Sequence, residues 1–195
     1  MESGLGVSKL EHPREWVTNP ETGDKVLRVG ELDFPARKVW MKTFGCQMNY
    51  HDTERLLSHL KDLNFERTEE LEQADMVLFN TCAIRDLSNN KFYSQLGELK
   101  ALKKEKNGLV IGVGGCVAQT EGKQLIKRYN HLDFAFGTDV IDQINDMVYR
   151  TYAGESKFSV NAWDRSNNFS IETKVSSGTP QAFVNIIKGC NKYCT

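Results

Sequence analysis

The chain has 195 residues, 39% of them hydrophobic, which is enough to bury a real core in one domain or slightly more. Its formal net charge of -1 excludes a broad electrostatic pull toward nucleic acid, so any RNA affinity has to come from a local patch or from sequence outside these residues. No run approaches the roughly 18 consecutive apolar residues of a membrane helix, and the start MESGLGVSKLEHPREW lacks the basic-then-apolar order of a secretory signal, so a cytoplasmic location and no membrane partner are expected.

The prolines at Pro13, Pro20, Pro35 and Pro180 leave residues 36–179 free of proline, as suits a compact body of regular elements. Residues 1–37 are polar without sustained periodicity and read as an extension. KVWMKTF (38–44) reads as a strand. Leu56, Leu57, Leu60 and Leu63 then follow at helical spacing behind a cap at Asn49 or Asp52. DMVLFNT (75–81) is a second strand, followed by a long helix carrying Phe92, Leu96, Leu99 and Leu102 that ends at Asn107-Gly108. LVIGV (109–113) with a helix after it, and LDFAF (132–136) with Val140, Ile141, Ile144 and Met147 after it, complete the pattern. Strand–helix alternation of this kind predicts an α/β fold, a parallel sheet with helices on both faces and right-handed crossovers. Residues 153–181 turn polar and read as a linker, and AFVNIIKG (182–189) starts a new strand in a second domain. The expected division is therefore 1–37, 38–152, 153–181 and 182–195.

Five cysteines, an odd number at wide spacing, fit metal ligands, redox groups or core filler better than a secreted disulfide scaffold. Cys46, Cys82 and Cys116, in TFGCQMN, FNTCAIR and VGGCVAQ, each stand at the end of a predicted strand and before a helix. They are separated by 35 and 33 intervening residues, about one strand–helix unit each, and the carboxyl ends of parallel strands share one edge. Three thiols would then meet without any local CxxC motif. Soft thiolates select zinc, copper(I) or iron–sulfur clusters, and three of them would hold a four-iron cluster with one iron left open. Gly45, Gly114 and Gly115 would let the backbone turn tightly beside a bulky inorganic group. A second pair, Cys190 and Cys194, follows the strand AFVNIIKG, where a loop at a strand's carboxyl end is expected.

Taken together, these strings resemble the methylthiotransferase family of radical S-adenosylmethionine enzymes over roughly residues 38–195. Cys190 and Cys194 resemble the start of the motif CxxxCxxC, whose third cysteine would fall two residues past Thr195. TFGCQMN, NTCAIR and GGCVAQ resemble the three cysteine motifs of the family's N-terminal domain. The Gln-Met-Asn after Cys46 is more similar to the tRNA-modifying branch than to the branches that modify a ribosomal protein or a threonylcarbamoyl adenosine.

The resemblance implies two [4Fe-4S] clusters and S-adenosyl-L-methionine in the full-length enzyme, with tRNA as partner. Cys46, Cys82 and Cys116 would hold the auxiliary cluster that carries sulfur. The Cys190 and Cys194 cluster would reduce S-adenosylmethionine to a 5′-deoxyadenosyl radical directed at adenine C2. With only two cysteines of the second motif present, residues 1–195 are expected to be inactive. The alternatives are a ribosomal-protein methylthiotransferase and a non-catalytic zinc- or redox-regulated binding module.

Asn49, Asn80 and Arg85 flank the cysteine loops as candidate hydrogen-bond donors, with helix capping for Asn49 and a solvated first-turn position for Arg85 as the plainer roles. His51, His59 and His131 show no metal spacing and read as surface or capping residues. Lys100, Lys103, Lys104 and Lys106, alternating with Glu98 and Glu105, read as a solvated helix face before they read as a phosphate contact.

Overall fold

The computed structural model describes residues 12–83 and 86–161, the side chains of 86–89 excepted. The second-domain strand expected at 182–189, with Cys190 and Cys194, lies outside the described residues, as does Arg85. Two sheets form: an antiparallel meander of three strands and a parallel sheet of six.

The meander comprises β1 (Arg14–Thr18), β2 (Lys25–Val29) and β3 (Leu32–Phe34). It corrects the reading of this stretch as an irregular extension. β1 is exposed at nearly every position, so no hydrophobic alternation announces it, whereas β2 and β3 send Leu27, Val29 and Phe34 into the main core. Asn19 closes the β1–β2 turn by accepting the Glu21 N–H at 2.9 Å. Pro13, Pro20 and Pro35 stand outside the three strands, where no ladder N–H is required.

The parallel sheet comprises β4 (Arg37–Thr43), β5 (Phe65–Thr68), β6 (Met76–Thr81), β7 (Val110–Gly115), β8 (Phe134–Phe136) and β9 (Phe158–Val160), in the spatial order β5-β4-β6-β7-β8-β9. Helices α1 (Gln47–Lys61), α2 (Asp86–Glu105), α3 (Cys116–Arg128) and α4 (Ile144–Tyr152) connect them. This is the predicted α/β architecture, with two short strands added. Four-residue β5 carries one buried side chain, and β9 lies where a linker was expected. Both are sheet-edge strands whose polar composition conceals them.

Every residue of β6 and β7 is buried, as a parallel sheet covered on both faces requires. Met76 and Leu78 face Leu56, Leu60, Ile144 and Met147 of α1 and α4. Val77 and Phe79 face Phe92, Leu96, Val117 and Leu125 of α2 and α3. The period of two along the strand thus serves two separate cores. On the first face β7 contributes glycines, because the rings of Phe134 and Phe136 occupy the space that β-carbons on Gly112 and Gly114 would need.

Carboxylates secure the amino-terminal edge of the sheet. Asp75, just before β6, accepts the Lys38 N–H at 2.8 Å, and Asp133, just before β8, accepts the Ile111 N–H at 2.7 Å. Asp133 also pairs with the Lys103 ammonium. At the opposite edge the chain passes from β4 outward to β5 and returns inward to β6, so the carboxyl ends of β4 and β6 flank the point where strand order reverses, the usual crevice for ligands in open α/β sheets.

Candidate metal centre

Parallel register brings the cysteines to that crevice. Thr43 of β4 lies opposite Asn80, and Thr81 of β6 lies opposite Gly115 of β7. Three adjacent strands therefore end together. Cys46 is the N-cap of α1 in extended conformation, Cys82 directly follows β6, and Cys116 is the first residue of α3. All three are free thiols; Cys46 is exposed, Cys82 buried and Cys116 half-buried.

The sulfurs sense one another. Burial pushes the Cys116 thiol up, the Ala83 backbone N–H works against that shift, and negative charge on Cys82, Asp52 and Cys46 raises it further. Several thiolates at one edge repel, and a bound cation is what relieves such repulsion. The amino termini of α1 and α3, where Cys46 and Cys116 sit, contribute partial positive charge in the same sense. Among the described residues, no three His, Cys, Asp or Glu side chains converge tightly enough to grip a single metal ion, so the thiols line a rim rather than a point.

Two buried amides stand beneath the rim. Asn49, in the first turn of α1, and Asn80, in β6, are 3% and 2% exposed, which sets their polar atoms fully within the protein. Asn49 Oδ1 accepts from the Cys46 N–H and thiol, both at 3.3 Å, and its Nδ2 donates to the Thr81 carbonyl at 3.0 Å. Asn80 Nδ2 donates to the Asn49 carbonyl at 2.7 Å and to Thr53 Oγ1 at 3.1 Å. The neighbouring hydroxyls continue the pattern, with Thr53 and Thr43 joined at 2.7 Å and Thr81 donating to the Gly114 carbonyl at 2.7 Å.

This arrangement changes the reading of several residues. The helix cap is Cys46, and Asn49 lies inside the first turn as a cross-link to β6. The space beside Gly45, at φ 128°, is taken by Asn49 and Cys82, and that beside Gly115, at φ 96°, by Asn80 and the Thr81 backbone. These glycines thus admit protein atoms, and Gly114 admits the Phe136 ring. His51 is buried, and burial lowers its pKa. His59 shares Asp142 with Arg55, and His131 Nε2 lies 2.7 Å from the Leu96 carbonyl. Lys103 and Lys106 pair with Asp133 and Asp75 at the edge away from the cysteines, while Lys100 and Lys104 are exposed, as a solvated helix face requires. The signal for the amides was present in the sequence: Asn80 is a polar residue inside an otherwise apolar central strand, where a buried polar group demands partners.

The fold and this edge define a class, a doubly wound α/β domain presenting three free thiols at the carboxyl ends of its central strands. The chain belongs to the family described as Uncharacterized protein family UPF0004, whose profile matches residues 38–137 and so takes in all three cysteines. Its relatives include proteins named tRNA-2-methylthio-N(6)-dimethylallyladenosine synthase. That of Halalkalibacterium halodurans is 39% identical over 82% of this chain and 30% of its own length. That of Bdellovibrio bacteriovorus is 38% identical over 82% and 35%, and that of Actinobacillus succinogenes 41% over 82% and 34%. The resemblance read from the cysteine motifs is borne out by these similarities. The chain spans about a third of the length of the curated relatives it matches. Among the described residues no helix is long and apolar enough to cross a membrane.

Proposed function

We propose that this chain is the N-terminal part of a cytoplasmic tRNA methylthiotransferase that adds a methylthio group to C2 of an N6-isopentenyl-type adenosine. In this reading Cys46, Cys82 and Cys116 hold one [4Fe-4S] cluster, and Cys190 and Cys194 begin the ligand set of a second, which binds S-adenosyl-L-methionine. The observation that supports it is the meeting of three free thiols at adjacent strand ends in a chain whose relatives carry that activity in their names. The donor set fits. Thiolates are the usual ligands of iron–sulfur clusters, and a cluster in which each thiolate binds its own iron suits a rim of separated sulfurs. Such a cluster, when bound, supplies an iron open to a sulfur ligand and redox capacity.

The chain's own residues then have definite tasks. Cys82 is the buried anchor, Cys46 the exposed outer ligand, and the α1 and α3 amino termini favour the thiolate forms. Phe44 and Val117, both buried beside the cysteine turns, limit water at the base of the site. The proposed domain division keeps 38–152 and 182–195 from the sequence reading, with β2 and β3 of the preceding meander packed on the main core and β9 counted into the sheet ahead of the linker.

Anaerobic reconstitution with ferrous iron and sulfide tests the reading. About four irons and four sulfides per chain are expected, with visible charge-transfer absorption that is lost in Cys46→Ala, Cys82→Ala and Cys116→Ala. Retention in all three variants removes the ligand assignment, and a single colourless zinc supports a binding module instead. A polypeptide of residues 1–195 with S-adenosylmethionine and reductant should yield no 5′-deoxyadenosine, because it holds two of the three cysteines of the second motif; clear production overturns that part.

A further inference from the structure

Asn49 and Asn80 are outside the proposed ligand set, yet between them they bond two of the three cysteine turns and lie against the third. Asn49 Oδ1 secures the first by accepting from Cys46, and its Nδ2 secures the second by donating to the carbonyl of Thr81, the residue before Cys82. Asn80 Oδ1 lies under the third, 2.7 Å from where a β-carbon on Gly115, the residue before Cys116, would stand. The two amides meet at 3.4 Å, and Asn80 reaches on to Thr53. Burying two carboxamides is costly unless their bonds are made, and an apolar pair would fill the same volume without that cost. An aspartate in either place would set negative charge against thiolates, whereas an amide directs hydrogen bonds without a net field.

We infer that Asn49 and Asn80 are positioning residues that tie the Cys46 and Cys82 turns together and pack against the Cys116 turn, so that cluster retention depends on two side chains that touch no iron. The joining rests on the geometry above, and the consequence for iron rests on the proposed function.

The test uses the 195-residue chain and two measurements. In the metal-free protein, alkylation of each cysteine by iodoacetamide is followed by mass spectrometry. In the reconstituted protein, cluster half-life is followed against a ferrous chelator. Asn49→Ala should speed alkylation of both Cys46 and Cys82 by roughly fivefold, as loss of a hydrogen bond at each turn implies. It should also shorten cluster half-life about tenfold, in line with removal of a partner outside the ligand shell. Asn49→Asp keeps an acceptor for Cys46 but loses the donor to Thr81 and sets a charge beside the Cys46 thiolate, so Cys82 should react faster while Cys46 falls below its wild-type rate, a divergence that general loosening of the fold does not produce. Asn80→Ser, a smaller polar replacement, guards against outright unfolding and should act in the same direction as Asn49→Ala. The double variant should be no worse than the stronger single one, as expected of a unit. Alkylation rates within about twofold of wild type in both Asn49→Ala and Asn80→Ser overturn the inference. Failure of the wild type to take up iron and sulfide overturns the proposed function instead, and the alkylation rates then still decide whether the amides join the turns.

Discussion

The two edges of the parallel sheet are held by different chemistry. At the amino-terminal edge, Asp75 and Asp133 accept the N–H groups of Lys38 and Ile111, the second residues of β4 and β7, with Lys106 and Lys103 as counter-ions. At the carboxyl edge, amides and hydroxyls do the corresponding work for Cys46, Cys82 and Cys116. Charge-assisted bonds are the stronger, and they fix register at the edge away from the cysteines. Beside three thiols a fixed carboxylate would oppose ionisation, so neutral groups hold the turns there. Asp52, the carboxylate that does stand near the rim, raises the Cys116 pKa, as that opposition implies.

Four substitutions test this contrast. Gly115→Ala should be the most damaging, at about 4 kcal/mol in chemical denaturation, because its φ of 96° and the close approach of the Thr81 carbonyl both exclude a β-carbon. It should also alter the alkylation of Cys82 and Cys116; a stable variant with wild-type thiols would mean that the rim tolerates movement. Asp133→Ala should cost about 3 kcal/mol by stranding Lys103 and the Ile111 N–H, yet leave thiol reactivity unchanged. Altered cysteines in that variant would couple the two edges and end the contrast.

Asp142 offers a charged case near α1. Its hydrogen bond from His59, against the opposing effect of burial and with the Arg55 charge in support, lowers its pKa from 3.8 to about 2. The carboxylate therefore stabilises the fold above its unfolded pKa, and this contribution disappears as pH falls through about 2. Asp142→Asn should cost about 1 kcal/mol at pH 7, after allowance for solvent screening, with the gap to wild type closing between about pH 4 and pH 2. A gap that is flat with pH would remove the ion pair from the account. The smallest effect is expected from Tyr93→Phe, about 0.5 kcal/mol, for loss of the 2.8 Å bond to Glu121 between α2 and α3. Burial, with that bond in support, pushes the Tyr93 phenol up to about 12, so ultraviolet titration should find it still protonated at pH 11; ionisation below that pH contradicts the contact.

Much of the architecture was legible before the coordinates. The runs behind β4, β6, β7 and β8 are apolar enough to read as covered strands, and Leu56, Leu60, Phe92 and Leu96 keep helical spacing because each helix buries one face. β1, β5 and β9 were missed because edge and exposed strands carry polar residues. The cysteines were legible as candidates, since each stands at a strand end. The roles of Asn49, Gly45 and Gly115 were not, because each depends on a neighbour more than thirty residues away or on another strand's turn.

Hydrophobic period and residue chemistry are local properties, so the residues alone were enough to place β4, β6, β7, β8 and the helices behind them and to show that three thiols follow strand ends. The strand order β5-β4-β6-β7-β8-β9, the common edge on which Cys46, Cys82 and Cys116 meet, and the amide pair beneath them emerge with the folded chain. Those features arise from pairing between segments distant along the chain, where register and burial select among partners that composition leaves equivalent.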